Sequence, residues 1–286
     1  MADPLTKKKK KTSQAVEVWK RLHKNKMAMV GMYTLIAILL LSLFGPLFSP
    51  YDYAAQNFTD RLLFPCASHI FGTDNFGRDI LTRILVGGRY TLFITFVCIT
   101  SAAVIGSTLG LLAAFYPKLD NLIMRIVDIF MGIPTMLMCV SIVAALGSNM
   151  QNMMIALIVT QSPEFARIMR AQVLTVKDRE FIEAANSIGA NNLRIIFHHV
   201  VPNALAPVIV QYTLGAVNVI LMSASLSFVG MGVQPPTPEW GLMISAGRDY
   251  LRDYWHIAII PGWRLLSRHL PLICWATACG TRLIRG

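Results

Sequence analysis

Residues 178–202 read DREFIEAANSIGANNLRIIFHHVVP and separate two apolar stretches of the chain. The first half of this segment repeats apolar residues at helical spacing. Those residues are Phe181, Ala184, Ala185 and Ile188. Such a repeat is typical of a helix with one apolar face, so we expect a short amphipathic helix here.

The second half of the segment predicts another amphipathic helix. Gly189 stops the first helix, because glycine readily adopts the left-handed conformation that closes a helix. Asn191 or Asn192 can cap the second helix. Its apolar stripe contains Leu193, Ile196, Phe197, Val200 and Val201. Pro202 marks the entry to the next span, so the segment is predicted to be two short helices joined at a glycine.

The surrounding chain has the composition of a membrane protein. Hydrophobic residues make up 55% of the 286 residues and charged residues only 14%, whereas a soluble domain usually carries about 25% charged residues. A helix of roughly 20 apolar residues spans a bilayer, and the charge-free stretches are long enough for this. The predicted spans cover 27–48, 91–115, 122–146, a segment that starts near 153 and is interrupted by Pro163, and 204–228, with a sixth apolar segment from His256.

The basic residues set the orientation. Nine of the 26 Lys and Arg residues precede Met27, which is typical of the cytoplasmic flank of a first span. We therefore expect 1–26 to be a basic cytoplasmic arm, 49–89 an extracytoplasmic loop and 169–203 a cytoplasmic loop. A nucleic-acid-binding arm is disfavoured because a span follows at once. A cleaved signal peptide is disfavoured because the apolar run is too long.

The 178–202 segment resembles the EAA motif of ABC importer permeases. The resemblance rests on Glu183, Ala184 and Ala185, followed by Gly189 and then by Pro202. It implies an all-α, MetI-like transmembrane domain with six spans and a permease core over 90–262. It also implies that these five residues belong to a loop that fits into a cleft on a separate ATPase.

Three further strings resemble one branch of that family, the dipeptide and oligopeptide permeases of the DppC and OppC type. His199 departs from the hydrophobic residue usual before the proline, but His-His-Val-Val-Pro-Asn is similar to the peptide-importer branch. The string FGTDNFGRD (71–79) resembles the loop after span one. From its residues alone it is a glycine-punctuated turn in which Asp74 caps a helix. Residues 228–241 resemble the loop after span five, and their composition predicts a proline turn with Trp240 at the membrane interface.

The resemblance implies that the chain works with other subunits. These are a second permease, two ATP-binding subunits and an extracytoplasmic solute-binding protein, with no nucleic acid. The membrane would be the cell inner membrane and the cargo a di- or oligopeptide. Nickel or another small solute stays an alternative cargo. Other classes left open are a secondary transporter or channel without an ATPase and a membrane scaffold, and the loop itself could instead be a hairpin lying on lipid.

Catalytic and metal motifs are absent from the sequence. The chain lacks any Gly-Lys pair, so it has no phosphate loop. We expect no enzyme activity and no cofactor, with ATP bound by partner subunits. His198 and His199 point about 100° apart on a helix and cannot easily share one metal ion. Ionisable residues of the spans lie near cytoplasmic ends, which favours positioning or pairing over proton coupling. They are Arg125, Asp128, Glu164 and Arg167.

The tail, 263–286, does not fit a sixth span. Arg264, Arg268 and Pro271 interrupt it, and each mid-span arginine costs about 2.5–3.5 kcal/mol on the insertion scale. Codons that start at the third base of each residue from Pro271 onward permit Phe-Asn-Leu-Leu-Gly-Asp-Gly-Leu-Arg-Asp-Ala, which resembles the usual C-terminus of this permease group. We hypothesise a frameshift near codon 262. A genuinely divergent tail is the alternative.

Overall fold

The computed structural model describes residues 26–263, and these residues form an all-α bundle. The helices are α1 (Lys26–Phe44), α2 (Ile80–Phe115), α3 (Pro117–Gly132), α4 (Thr135–Leu146), α5 (Met150–Lys177), α6 (Glu180–Ser187), α7 (Asn192–Arg194), α8 (Val201–Phe228) and α9 (Trp240–Gly247). A π-helix, Ile195–Val200, joins α7 to α8, and short 3₁₀ turns lie at Gly45–Leu47, Phe58–Asp60 and Arg248–Tyr250. A further helical stretch over 256–263 reaches the last described residue. The predicted basic arm, apart from Lys26, and the tail after Trp263 lie outside the described residues.

Three helical stretches among residues 26–263 are long and apolar enough to cross a membrane: Met29–Leu47, Ile80–Phe115 and Ile195–Phe228. The bent pair α3 and α4 would make a fourth if it forms one span. Helix α5 has 28 residues and is about 42 Å long at 1.5 Å per residue, but it is more polar. The described residues therefore support a multi-span membrane bundle, and the count of six spans stays a prediction.

The third predicted span is broken. Instead of one helix over 122–146, α3 and α4 meet at an angle of 96°. The break falls at Ile133 and Pro134, where Ile133 has φ −97° and ψ 132°. Proline has no backbone N–H and pushes the preceding residue out of the helical region, so the helix ends there. The prediction of one continuous helix was wrong.

The helix of the second predicted span begins much earlier than Thr91. It starts at Ile80, and the Asp79 side chain accepts a hydrogen bond from the Thr82 backbone N–H at 2.7 Å. Asp79 therefore caps α2. Asp74, which the sequence suggested as the cap, instead accepts hydrogen bonds from backbone N–H groups of its own turn. That prediction was wrong because two aspartates flank the same turn and only the later one adjoins the helix.

Helix α5 is the central element and continues through Pro163. The predicted interruption at this proline is not observed. Pro163 is buried, and α5 packs against α2, α3, α4 and α8. Neighbouring helices stabilise a proline inside a membrane helix because they and nearby hydroxyl groups satisfy the freed backbone. The Ser162 hydroxyl donates to the Ile158 carbonyl oxygen at 2.6 Å, one residue before the Val159 carbonyl that Pro163 leaves without its helical donor.

Helices α2 and α5 approach each other through two glycines spaced four residues apart. A Cβ atom on Gly106 would lie 2.2 Å from the Ser162 carbonyl oxygen, and one on Gly110 would lie 2.2 Å from the Ala166 carbonyl oxygen. Small residues at this spacing let helix backbones come close in a membrane. The sequence Gly-Ser-Thr-Leu-Gly therefore determines the tightest contact of the core.

A second apolar cluster closes the end of the bundle that carries the 49–79 loop. Trp240 is fully buried in it, and its indole Nε1 donates to the Ile84 carbonyl oxygen at 2.9 Å. The ring packs among side chains of α1, α2 and α8, with Gly87 and Gly88 leaving room for it. Its placement at the membrane interface stays a prediction.

Glu239 lies beside this tryptophan and is completely buried. Its Oε2 atom accepts a hydrogen bond from the Leu242 backbone N–H at 2.9 Å and so caps α9. Burial raises the pKa of the Glu239 carboxyl above its ordinary value of 4.5, because desolvation disfavours the charged form.

We expect the Glu239 carboxyl to make the fold less stable as pH rises. A raised folded-state pKa means that the contribution is fully present below about pH 4.5 and is lost as pH rises through the folded-state pKa. Glu239→Gln keeps the capping oxygen and should remove this slope. Thermal unfolding in detergent between pH 4 and pH 8 measures it. The control is Asp249→Asn, whose carboxylate is exposed, and an unchanged slope in Glu239→Gln would contradict the prediction.

Candidate functional site

The predicted glycine junction of the 178–202 segment is present. Helix α6 ends at Ser187, and Gly189 has φ +77°. The Ala190 N–H donates to the Ala185 carbonyl oxygen at 3.1 Å, which closes the helix. A Cβ atom at position 189 would meet nothing within 4 Å. Glycine is therefore favoured here by the backbone conformation and not by lack of space.

The helix after the junction is capped as predicted but is not separate. The Asn191 side-chain oxygen accepts from the Leu193 N–H at 3.4 Å. The helical backbone then runs without a break through the π-helix into α8, so the prediction of two short helices holds only for the first. Pro202 lies in the first turn of α8 and has no N–H to donate. The wider π-helical turns directly before it accommodate that missing donor.

Helix α6 turns a different face to the core than the periodicity indicated. Ile182 and Ala185 are the buried residues, 2% and 7% exposed, and they join the main apolar core with Val173 and Val176 of α5. Ile182 was not part of the predicted stripe. Ala184 is exposed. A helix of eight residues offers only two turns, and its packing on the π-helix Ile195–Val200 and the main core selected the pair at positions i and i+3.

Four large apolar side chains of the segment face outward. We call them the loop face: Phe181, Ile188, Leu193 and Phe197, which are 40%, 85%, 62% and 65% exposed. Of the five residues predicted to dock an ATPase, four are exposed beside them and one is not. Glu183, Ala184, Gly189 and Pro202 are exposed, whereas Ala185 is buried. The apolar periodicity had indicated the four side chains of the loop face, but nothing in the sequence separated outward from inward positions.

Two ion pairs connect α3 to the half of α5 that leads into this segment. Arg170 donates two hydrogen bonds to the Asp120 carboxylate, both at 2.5 Å. Arg167 donates to Asp128 at 2.6 Å, which confirms the predicted pairing for these two residues. The Arg167 pair is more than half exposed, and such pairs contribute about 0–1 kcal/mol. Their main effect is to hold α3 in register with α5.

No group of three or more His, Cys, Asp or Glu residues that could hold a metal ion occurs within residues 26–263. The rings of His198 and His199 are 5.7 Å apart in an edge-on arrangement. The feature of the segment that stands out is the exposed apolar loop face.

An all-α bundle with bilayer-length apolar helices belongs to the class of multi-span membrane proteins. Residues 106–272 match the family described as binding-protein-dependent transport system inner membrane component. Residues 13–65 match the N-terminal TM domain of oligopeptide transport permease C. The chain belongs to the family of binding-protein-dependent transport inner-membrane components, as the EAA resemblance predicted.

Curated relatives agree with this assignment. The chain is 44% identical over 251 residues to the dipeptide transport system permease protein DppC of Alkalihalophilus pseudofirmus, covering 87% of this chain and 83% of that protein. It is 40% identical to the di/tripeptide transport system permease protein DppC of Pseudomonas aeruginosa, covering 87% and 85%. It is 38% identical to the glutathione transport system permease protein GsiD of Escherichia coli, covering 91% and 86%.

Solved structures agree on the fold. A chain of the MetNI methionine ABC transporter in an inward-facing conformation has a TM-score of 0.57 at 24% identity, with 71% of this chain and 94% of that chain covered. A chain of an amino acid ABC transporter with histidines has a TM-score of 0.55 at 18% identity, with 70% and 94% covered. The predicted MetI-like architecture is confirmed.

Proposed function

We propose that this chain is a permease subunit of an ATP-driven importer and that it carries di- or oligopeptides across the inner membrane. The observation that carries the proposal is the loop face, where four large apolar side chains are exposed on a segment whose other side is fixed in the core. Exposed apolar patches of this kind mark interaction sites. Relatives named for dipeptides, di- and tripeptides and glutathione support a peptide cargo.

The partner at the loop face would be an ATP-binding subunit. Ala184 is exposed and too small to anchor a helix in lipid, and Glu183 is exposed directly beside it, whereas Ala185 is buried in the core of this chain. The competing arrangement is a hairpin lying flat on the membrane. Close protein contact explains the small exposed residue better, because backbones approach most closely at such positions.

Movement of the ATP-binding subunit would then reach the membrane spans through the helices. Helix α5 ends at Lys177, three residues before α6 begins at Glu180, so a displacement of the loop moves α5. The Asp120–Arg170 and Asp128–Arg167 pairs pass the displacement to α3. Closure of the ATPases would in this way reopen the spans toward the other side of the membrane, which is alternating access.

The remaining parts of the proposal concern assembly. The complete importer would contain a second permease, two ATP-binding subunits and an extracytoplasmic solute-binding protein. The N-terminus would be cytoplasmic, because nine basic residues precede Met27. Hydrolysis of ATP would take place in the partner subunits, since the chain has no phosphate loop.

Reconstituted transport tests this function. The importer encoded with this chain is placed in proteoliposomes and supplied with its solute-binding protein and labelled dialanine. We expect uptake that requires ATP. Uptake that proceeds equally without ATP would identify a secondary transporter or channel and would contradict the proposal. Nickel uptake without peptide uptake would contradict the proposal that the cargo is a peptide.

Resequencing the gene tests the hypothesis about the tail. If the reading frame shifts near codon 262, the other frame should encode Phe-Asn-Leu-Leu-Gly-Asp-Gly-Leu-Arg-Asp-Ala downstream. The physical reason is the cost of Arg264 and Arg268 inside a span, about 2.5–3.5 kcal/mol each at its centre. A confirmed frame without that string would establish a divergent tail instead.

A further inference from the structure

A cavity of about 360 Å³ opens where the break between α3 and α4 faces α5 and α8. Apolar residues such as Ile133, Leu221 and Met222 form part of its wall. The polar part is unusual for a membrane bundle because it gathers side chains from three elements. These are Thr135 from α4, Thr160, Gln161 and Glu164 from α5, and Asn218 from α8.

The predicted topology places this polar wall inside the membrane, because α5 corresponds to the predicted fourth span and Met150 would lie at its outer end. Glu164 lies about 21 Å along the helix axis from Met150, at 1.5 Å per residue. The hydrocarbon core of a bilayer is about 30 Å thick. With the orientation proposed above, Glu164 is therefore within the hydrocarbon layer, nearer to its cytoplasmic side.

The Thr160 hydroxyl of the wall donates to the Leu157 carbonyl oxygen at 3.2 Å, but the side chains of Glu164, Gln161 and Asn218 form no hydrogen bond with the described residues. Asp120 and Asp128 on α3 each pair with an arginine of α5, but Glu164 forms no ion pair or hydrogen bond with any described residue. Gln161 is only 6% exposed, and its amide likewise forms no hydrogen bond with the described part of the chain. Gln161 lines the cavity, and its amide is available to an occupant of that cavity.

An unpartnered carboxylate in hydrocarbon is costly, and ionisable residues there usually pair with another group or line a polar cavity. A face with Glu164, Gln161 and Asn218 is therefore unsuited to lipid. It needs an occupant that donates to a carboxylate and also exchanges hydrogen bonds with two amides. A free peptide has these groups, because its α-ammonium is a cationic donor and its peptide bond carries one donor and one acceptor.

We propose that this cavity is a peptide-binding site in the membrane, where Glu164 accepts the α-ammonium group and the Gln161 and Asn218 amides bind the peptide bond. The inference rests on the proposed import of peptides. The apolar wall at Ile133, Leu221 and Met222 contacts the peptide side chains without selecting among them. The site therefore recognises the shared backbone of di- and oligopeptides and not a particular sequence.

Binding to the complete importer in nanodiscs, without the solute-binding protein, tests this site. The probes are dialanine and N-acetyl-dialanine, which lacks the ammonium group. We expect the acetylated probe to bind at least tenfold more weakly. Glu164→Gln, which keeps the side-chain volume, should weaken dialanine binding at least tenfold and leave binding of the acetylated probe unchanged. Glu164→Asp should restore part of the preference.

The control is Asp249→Asn, an exposed carboxylate outside the cavity, which should change neither affinity. Equal binding of both probes, no binding to the unsubstituted importer, or an unaffected Glu164→Gln variant would overturn the proposal. Loss of the second permease from the Glu164→Gln complex would also overturn it, because Glu164 would then be a subunit contact. Capture of the ATP-binding subunit is measured on the same samples. Loss of this subunit would count against the proposed function, whereas loss of peptide binding alone would count against the proposed site.

Discussion

Ile188→Asp combined with Phe197→Asp is expected to reduce capture of the ATP-binding subunit by at least tenfold. Both side chains belong to the loop face and are 85% and 65% exposed, so the fold does not depend on them. At an interface with the ATP-binding subunit, the two substitutions would remove buried apolar surface and place unpaired charges away from water. Each of these changes weakens binding. A tenfold loss corresponds to about 1.4 kcal/mol, which is modest for buried aromatic and aliphatic contacts.

Affinity purification of the tagged chain from membranes measures this effect, with thermal unfolding in detergent as a check of folding. The matched control is Leu251→Asp, which places the same charge on a residue that is 48% exposed and far along the chain from the loop face. We expect the control to retain the ATP-binding subunit. Full retention by the double variant would mean that the loop face does not bind that subunit.

Gly106→Ala is expected to lower the free energy of unfolding by about 1–3 kcal/mol, the usual cost of overpacking a core. The new Cβ atom would lie 2.2 Å from the Ser162 carbonyl oxygen and 2.6 Å from the Phe165 Cβ atom. Both are parts of α5 that cannot move without shifting the central helix. Because α5 also positions α6, the same change should weaken capture of the ATP-binding subunit.

Gly132→Ala is the control for this prediction, since a Cβ atom at Gly132 would meet nothing within 4 Å. Alanine has a higher helix propensity than glycine by roughly 1 kcal/mol, so the control should be neutral or slightly stabilising. Thermal unfolding of both variants in the same detergent compares them. Equal destabilisation of the two variants would show that α2 and α5 are not in close contact at Gly106.

Local chemistry allowed several elements to be predicted from the sequence. The closing glycine at 189, the asparagine cap at 191 and the end of the last long helix at Phe228 were all confirmed. Each depends on residues within one or two turns. The class of membrane bundle likewise follows from apolar runs alone, because a bilayer imposes their length.

Other features depend on contacts between distant parts of the chain. Pro134 ends a helix, whereas Pro163 does not. Both prolines lie in apolar stretches of the sequence, but only Pro163 is enclosed by neighbouring helices. The buried face of α6 was mispredicted because packing on the π-helix Ile195–Val200 and the main core, and not periodicity, selected Ile182. The cavity beside Glu164 is lined by four helices, so no single stretch of sequence indicated it.

Photo-crosslinking from position 188 tests the docking of the loop face most directly. A benzoyl-phenylalanine replaces Ile188, which is 85% exposed, in the complete importer in native membranes. The account predicts a crosslinked product with the ATP-binding subunit and none from the same probe at position 251. Crosslinks from position 188 to lipid alone would contradict the account and would support a hairpin that lies on the membrane surface.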